Sequence, residues 1–134
     1  MKKLKAAFLT LSIVSAVGFS TNAFAYTYDE GYLGTSSIKA YGQLFASNPG
    51  SGYPRAYATT ESSVAIHTKR ATVEVIYSNG TLAQNSSLAP TSSNTAAVTS
   101  TLVADAETGV GFNGYHYATD SNYGSWSGFT YVTY

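Results

Sequence analysis

One stretch of the sequence decides the fold: ATVEVIYSNGTLAQ, residues 71 to 84. Apolar and polar residues alternate up to Asn79-Gly80, a dipeptide that accepts positive φ and is typical of a two-residue type I′ turn between antiparallel strands. The pattern therefore predicts a hairpin with Tyr77 opposite Leu82. Its two valines would face the core, and the glutamate between them would face the other way.

Outside this hairpin, period-two alternation recurs between turn signals, and no segment after residue 26 keeps the three-four spacing of an amphipathic helix. Further strands are expected at residues 37–46, 53–60, 63–69, 95–104, 110–118 and 126–133. A turn at Asn48-Pro49-Gly50-Ser51 and a long loop at 85–94 would connect them, and Asn113-Gly114 is either a turn or a bulge. The chain thus predicts an all-β fold, a small antiparallel β-sandwich of about eight short strands, immunoglobulin-like or jelly-roll-like, forming one domain over residues 35–134.

Residues 1–25 have the composition of a secretory signal peptide. Three lysines precede an apolar run of about 14 residues, and Ala23-Phe24-Ala25 has the small-x-small form of a cleavage site. The run is shorter than the roughly 20 residues that span a bilayer. We therefore expect cleavage after Ala25 and a secreted, extracellular protein without a membrane span. The short lysine-rich leader is typical of bacteria. Residues 26–34 are expected to form a flexible N-terminal tail.

Composition excludes several classes of partner. Without the leader, four basic residues face seven acidic ones, a net charge of about −3. Such a chain offers no basic stripe for phosphates, which argues against nucleic acid and against anionic lipid surfaces. The chain contains no cysteine, so disulfides cannot stabilise it. Its 12 tyrosines and many hydroxyl and amide side chains favour hydrogen-bonding surfaces instead.

No catalytic constellation is evident, so we predict no catalytic residues and no enzyme activity. His67 and His116 are the only histidines, and each is expected to make cross-strand hydrogen bonds. The segment Gly124–Gly128 is centred on Trp126 rather than on a nucleophilic serine, and no helix follows it.

No metal site and no cofactor are predicted. Two histidines 49 positions apart do not suit zinc. Oxygen ligands for calcium would have to come from Asp105, Glu107 and Asp120 meeting at one end of the fold, and the alternative is that these are solvated loop acids.

Aromatic side chains concentrate at the C-terminus. The last twenty residues contain Tyr115, Tyr117, Tyr123, Trp126, Phe129, Tyr131 and Tyr134. Rings with polar tips are suited to recognition of sugars or peptides, although alternation along a strand sends some of them into the core. We predict a ligand surface anchored by Trp126, with Tyr123 and Tyr117 beside it.

Three classes of function remain. The first is a secreted, non-catalytic binding or interaction module whose partner is a glycan, the cell wall or another protein. The second rests on residues 63–67 leading into 71–77 and on the aromatic ending 131–134, which resemble lactococcin 972-type bacteriocins. That resemblance implies a small β-sandwich acting as an antimicrobial at the cell envelope and assigns no residue a role. The third is a self-assembling extracellular matrix protein, because low charge and β-rich segments favour edge pairing.

Overall fold

The computed structural model describes residues 11–13, 22–49, 52–106, 108 and 110–134. Within these ranges the chain forms strands and no helix. The strands are β1 (Leu11–Ile13), β2 (Asn22–Tyr32), β3 (Lys39–Asn48), β4 (Arg55–Ser62), β5 (Thr68–Tyr77), β6 (Leu82–Leu88), β7 (Ala97–Val98), β8 (Leu102–Val103), β9 (Val110–Asp120) and β10 (Gly124–Thr133). No described segment is a helix long and apolar enough to cross a membrane.

The strands form two antiparallel sheets, which confirms the all-β prediction. One sheet has the order β1-β2-β3-β4, and the short strands β7 and β8 both pair with the remaining edge of β4. The other sheet has the order β10-β9-β5-β6. The chain passes from the second sheet back to the first between β6 and β7, over residues 89–96. The predicted loop at 85–94 is therefore only partly right, because residues 85–88 belong to β6.

The core lies between the inner faces of the two sheets and contains two apolar clusters. Leu44, Val73 and Phe112 belong to the larger cluster, and Leu33 and Trp126 belong to the smaller one. Each such side chain contributes roughly 1.5–3 kcal/mol when fully buried.

A polar layer separates the two clusters. Along β9, His116 lies between Phe112 of the larger cluster and Ala118 of the smaller one, and Thr130 occupies the corresponding place on β10. Thr60 of β4 is also fully buried and contacts this layer from the opposite sheet.

The predicted hairpin is present, but its register differs by one residue. Ile76 pairs with Leu82, so Tyr77 lies opposite Thr81. The loop has three residues, with Gly80 at φ +82° and no positive φ at Asn79, so it is not a type I′ turn. A one-residue slip moves a side chain to the other face, and Leu82 accordingly lies on the outer surface instead of in the core.

The predicted flexible tail at residues 26–34 is wrong. Residues 23 to 32 pair continuously with β3, and Leu33 is fully buried. The side chains that face the core here are Thr27 and Asp29, whereas the tyrosines face outward. Buried and exposed side chains therefore alternate here as in any strand. Because the buried ones are polar, the apolar alternation that predicts a strand is missing.

The predicted leader lies largely outside the described residues. Of residues 1–25, the structure describes 11–13 in β1 and 22–25 at the start of β2. The Ala25–Tyr26 bond lies within β2, opposite Ala46 and Phe45. Cleavage after Ala25 stays a prediction.

Four other predicted segments have different outcomes. Asn113 and Gly114 continue through β9 as paired strand residues in uninterrupted register, so there is neither a turn nor a bulge there. The strands expected at 63–69 and 95–104 are reduced to an isolated bridge between Ile66 and Ser93 and to the short strands β7 and β8. The turn at 48–51 includes residues 50 and 51, which lie outside the described residues.

Candidate functional site

The outer face of the four-stranded sheet gathers exposed aromatic rings beside polar side chains. Register places Tyr117 between Arg70 and Ser127, and places Tyr115 between Thr72 and Phe129. We call this surface the aromatic sheet face. It comprises Arg70, Thr72, Glu74, Gln84, Ser86, Leu88, Asn113, Tyr115, Tyr117, Phe129 and Tyr131.

Three of its rings form a contiguous row across β9 and β10. The ring centroids of Tyr115 and Phe129 are 5.4 Å apart, and those of Phe129 and Tyr131 are 6.1 Å apart at an interplanar angle of 25°. Tyr115 and Tyr131 are each 42% exposed, while Phe129 is half-buried between them. The row therefore exposes two amphipathic tyrosine rings to solvent, while the apolar ring of Phe129 stays partly covered between them.

Next to this row lies a groove of about 650 Å³, which runs over β5 and β6. Tyr115 forms one wall, and Arg70, Glu74 and Leu88 are among the other lining residues. The groove is open, and polar and apolar atoms line it about equally. This shape suits an elongated, hydroxyl-rich ligand better than a compact apolar one.

Glu74 lies in this groove and is held by three donors. Its carboxylate accepts hydrogen bonds from Gln84 Nε2 at 2.6 Å, Asn113 Nδ2 at 3.1 Å and the Tyr115 hydroxyl at 3.1 Å. Burial raises the pKa of Glu74, but the three donors together outweigh it and the net shift is downward. Glu74 is therefore a fixed, ionised carboxylate that orients its neighbours.

Tyr115 is fixed by the same network. Burial and the hydrogen bond donated to Glu74 raise the pKa of its hydroxyl. The phenol thus keeps its proton, and its ring is held in a single orientation against the groove. A site with preset ring and amide directions loses less entropy on binding than a flexible one.

The predicted anchor, Trp126, is not on this surface. It is only 1% exposed and packs against Gly31 and Gly128, where an added β carbon would overlap the indole. On β10 the residues on either side of it, Ser125 and Ser127, face solvent instead. The ring is therefore part of the smaller core cluster and cannot stack on a ligand.

The other two predicted ligand residues are exposed but lie apart in the fold. Tyr117 is 39% exposed on the aromatic sheet face. Tyr123 lies in the turn between β9 and β10, at the end of that sheet, where its N–H donates to Asp120 O. The binding role of both residues stays a prediction. Sequence reasoning missed Arg70, Glu74 and Gln84, since only strand pairing brings them beside Tyr115.

A second set of aromatic rings covers the outer face of the other sheet. Phe45 lies between Tyr26 and Tyr57, with centroid separations of 4.9 and 4.8 Å. Gln43 Nε2 donates to the Tyr26 hydroxyl, and the Thr59 hydroxyl donates to Gln43 Oε1. These contacts are cross-strand pairs that stabilise the sheet. The sequence signal that could have revealed this set of rings is the placing of tyrosines at alternate positions from residue 26.

The histidines lie away from the groove. His116 is 2% exposed in the core and hydrogen-bonds to Thr60 and Thr130, which confirms its predicted cross-strand role. His67 is exposed just before β5. Its ring contacts the hydroxyl of the adjacent Thr68 and not a residue of another strand, so the prediction of a cross-strand hydrogen bond is wrong for its side chain.

The acidic residues considered for calcium do not converge. Asp120 Oδ2 accepts a hydrogen bond from His67 N, next to the first residue of β5, whereas Asp105 N donates to the hydroxyl of Tyr77, the last residue of β5. The length of β5 separates them, roughly 30 Å. Glu107 lies outside the described residues. Among the residues that are described, no group of three or more acidic or histidine side chains could hold a metal ion.

Comparisons with known proteins return no relative. No family model matches this chain, and no curated protein or solved structure is significantly similar to it. The resemblance to lactococcin 972-type bacteriocins therefore gains no support from them.

Proposed function

We propose that this protein is a secreted, non-catalytic β-sandwich module that binds a glycan chain along the aromatic sheet face. The observation that carries the proposal is the row formed by Tyr115, Phe129 and Tyr131 beside an open groove that contains fixed polar side chains. Aromatic rings pack against the apolar faces of sugars, and fixed amides and carboxylates hydrogen-bond their hydroxyls.

The balance of charges in the groove and in the whole chain favours a neutral, hydroxyl-rich ligand. The groove contains one cation, Arg70, and one carboxylate, Glu74. The predicted secreted chain is weakly negative overall, so polyanions such as nucleic acid are poor candidates. An open groove along two strands fits a segment of polysaccharide, and a leader for export is consistent with a ligand at the cell surface.

The same geometry favours binding over hydrolysis. Glycoside cleavage commonly needs two carboxyl groups facing each other, one of them with a raised pKa. Among the described residues that line this groove, Glu74 is the only carboxylate, and its pKa is lowered because Gln84, Asn113 and Tyr115 donate to it.

Retention on insoluble polysaccharides and purified cell walls tests the proposal, with Tyr117→Ala as the main variant. Loss of an exposed stacking ring should weaken binding roughly 10-fold or more while leaving the free energy of unfolding nearly unchanged. Tyr32→Ala is the matched control, because Tyr32 is exposed at the end of β2 in the other sheet. Its binding should equal that of the unmodified protein.

Two results would overturn the proposal. One is no retention on any glycan tested, and the other is equal loss from both tyrosine variants. Growth inhibition of related bacteria that survives Tyr117→Ala would instead favour the antimicrobial alternative.

A further inference from the structure

Strand β6 is an edge strand with unused hydrogen-bonding groups. Tyr77 N–H donates to Thr81 O at one end of the β5–β6 pair, and Ala89 N–H donates to Lys69 O at the other. Hydrogen-bonded positions alternate along an antiparallel pair. The odd-numbered residues of β6 therefore bond to β5, and the even-numbered ones direct their N–H and C=O groups away from the sheet. No described strand pairs with that side.

The other described edges carry features that discourage pairing, and β6 carries none. At the β10 edge, Asp29 Oδ2 accepts from Phe129 N and Gly34 N donates to Ser125 O. At the two edges of the other sheet, β1 has three residues, and β7 and β8 have two each. Strand β6 has seven residues, LAQNSSL, without a charge or a proline. Natural proteins usually protect an edge of that kind.

The sequence of β6 is complementary to itself. Pairing two copies antiparallel about Asn85 places Leu82 opposite Leu88 of the second copy, and Gln84 opposite its Ser86. These four residues share the outer face, and Leu82 and Leu88 are 58% and 59% exposed. Both apolar side chains would gain an apolar cross-strand partner, which stabilises a sheet.

We propose that two copies of this chain associate through β6, antiparallel and centred on Asn85. The two four-stranded sheets then become one continuous eight-stranded sheet with a two-fold axis. In this register, the outward N–H and C=O groups of the even-numbered residues of β6 form about eight backbone hydrogen bonds with the second copy. It also brings the two grooves side by side, although it does not depend on what they bind. A one-strand interface is small, so the dimer dissociates on dilution.

Single cysteines test the register, because the chain has none of its own. Asn85→Cys would face its counterpart directly at a non-hydrogen-bonded pair, with Cα atoms about 4.5 Å apart, a separation that permits a disulfide. Ser87→Cys is the matched control from the same face of β6. Its counterpart would lie four residues away along the strand, roughly 13 Å. We expect rapid oxidation to a covalent dimer for Asn85→Cys and little for Ser87→Cys.

Charge tests the pairing without chemical trapping. The double variant Gln84→Lys with Ser86→Lys sets lysines opposite each other and should be monomeric by sedimentation equilibrium. The variant Gln84→Lys with Ser86→Glu sets opposite charges in the same places and should stay dimeric. Far-ultraviolet circular dichroism checks that both variants fold.

Several outcomes would overturn the proposal. They are a wild-type chain that is monomeric at its highest soluble concentration, equal crosslinking of the two cysteine variants, and dimers that survive the lysine pair. A monomer that instead binds an extended peptide along β6 would also contradict it. None of these results would affect the glycan proposal, because its test leaves the residues of β6 unchanged.

Discussion

His116 Nδ1 lies 3.1 Å from Thr60 Oγ1, and this hydrogen bond joins the two sheets inside the core. The Thr60 hydroxyl donates its proton to Arg70 O at 2.8 Å, so it must accept from the Nδ1–H of His116. Nε2, 2.9 Å from Thr130 Oγ1, then accepts from that hydroxyl. A neutral imidazole protonated on Nδ1 therefore satisfies every hydrogen bond that links Arg70 O, Thr60, His116 and Thr130.

Acid should destabilise the protein through His116. Burial lowers its pKa from the ordinary 6.5 to about 4. As pH falls through 6.5, His116 becomes protonated in the unfolded chain, whereas in the folded chain it stays neutral until about pH 4. The free energy of unfolding should be highest above pH 6.5 and should lose about 3 kcal/mol by pH 4. Urea denaturation across this range measures it. In His116→Gln the loss should be smaller, and an identical pH profile would contradict the assignment.

Replacing Gly42 with a larger residue should destabilise the fold, because the His116 ring fills the space beside it. A β carbon there would overlap the imidazole ring. Gly42→Ala should therefore destabilise the fold by about 1–3 kcal/mol, since overpacking forces the ring or the strand to move. Gly111→Ala is the control, because the nearest atom to its β carbon is Val132 O at 3.4 Å. Thermal denaturation compares the two variants, and equal midpoints would show that the ring can move aside freely.

Trp126 should behave as a core residue and not as a ligand anchor. Its emission should be blue-shifted and insensitive to aqueous quenchers, because the indole is buried. Trp126→Ala should cost about 3–5 kcal/mol of unfolding free energy. Trp126→Phe, which keeps most of the apolar volume, should cost less and should leave glycan retention unchanged. If Trp126→Phe folds normally but loses retention, the indole contributes to recognition after all.

Cleavage after Ala25 should precede folding. The Ala25–Tyr26 bond lies within β2, which is paired with β3 on both sides of that bond, and a protease needs an extended, accessible substrate. Mass spectrometry of the secreted protein should find Tyr26 as the first residue. A purified, refolded precursor should resist signal peptidase, whereas the same precursor should be cut when the enzyme is present from the first moment of dilution out of urea, before the chain has folded. Equal cleavage of both forms would show that the start of β2 opens readily.

The identity of most strands was predictable because period-two alternation is a local property of the chain. The hairpin around Gly80 is an example. Its register was not predictable from the local pattern, because Asn-Gly fits a two-residue loop and also the observed three-residue loop, which has Gly80 at positive φ. Strand β2 was missed for another reason: the residues that face the core there, Thr27 and Asp29, are polar. The partner of Asp29 is Phe129 N–H, 100 residues away in the chain, which no local pattern reveals.

For the candidate site, the sequence by itself determined that aromatic rings, hydroxyls and amides dominate the C-terminal half and that few charges accompany them. Only the tertiary structure decided which rings face solvent. Tyr117 and Trp126 both lie in strong strand patterns, but the second sheet packs on one face alone, and Gly31 and Gly128 leave room there for the indole. Likewise, Glu74 and Asn113 are 39 residues apart in the chain. They meet because β5 pairs with β9, and strand pairing is a non-local choice that no single segment encodes.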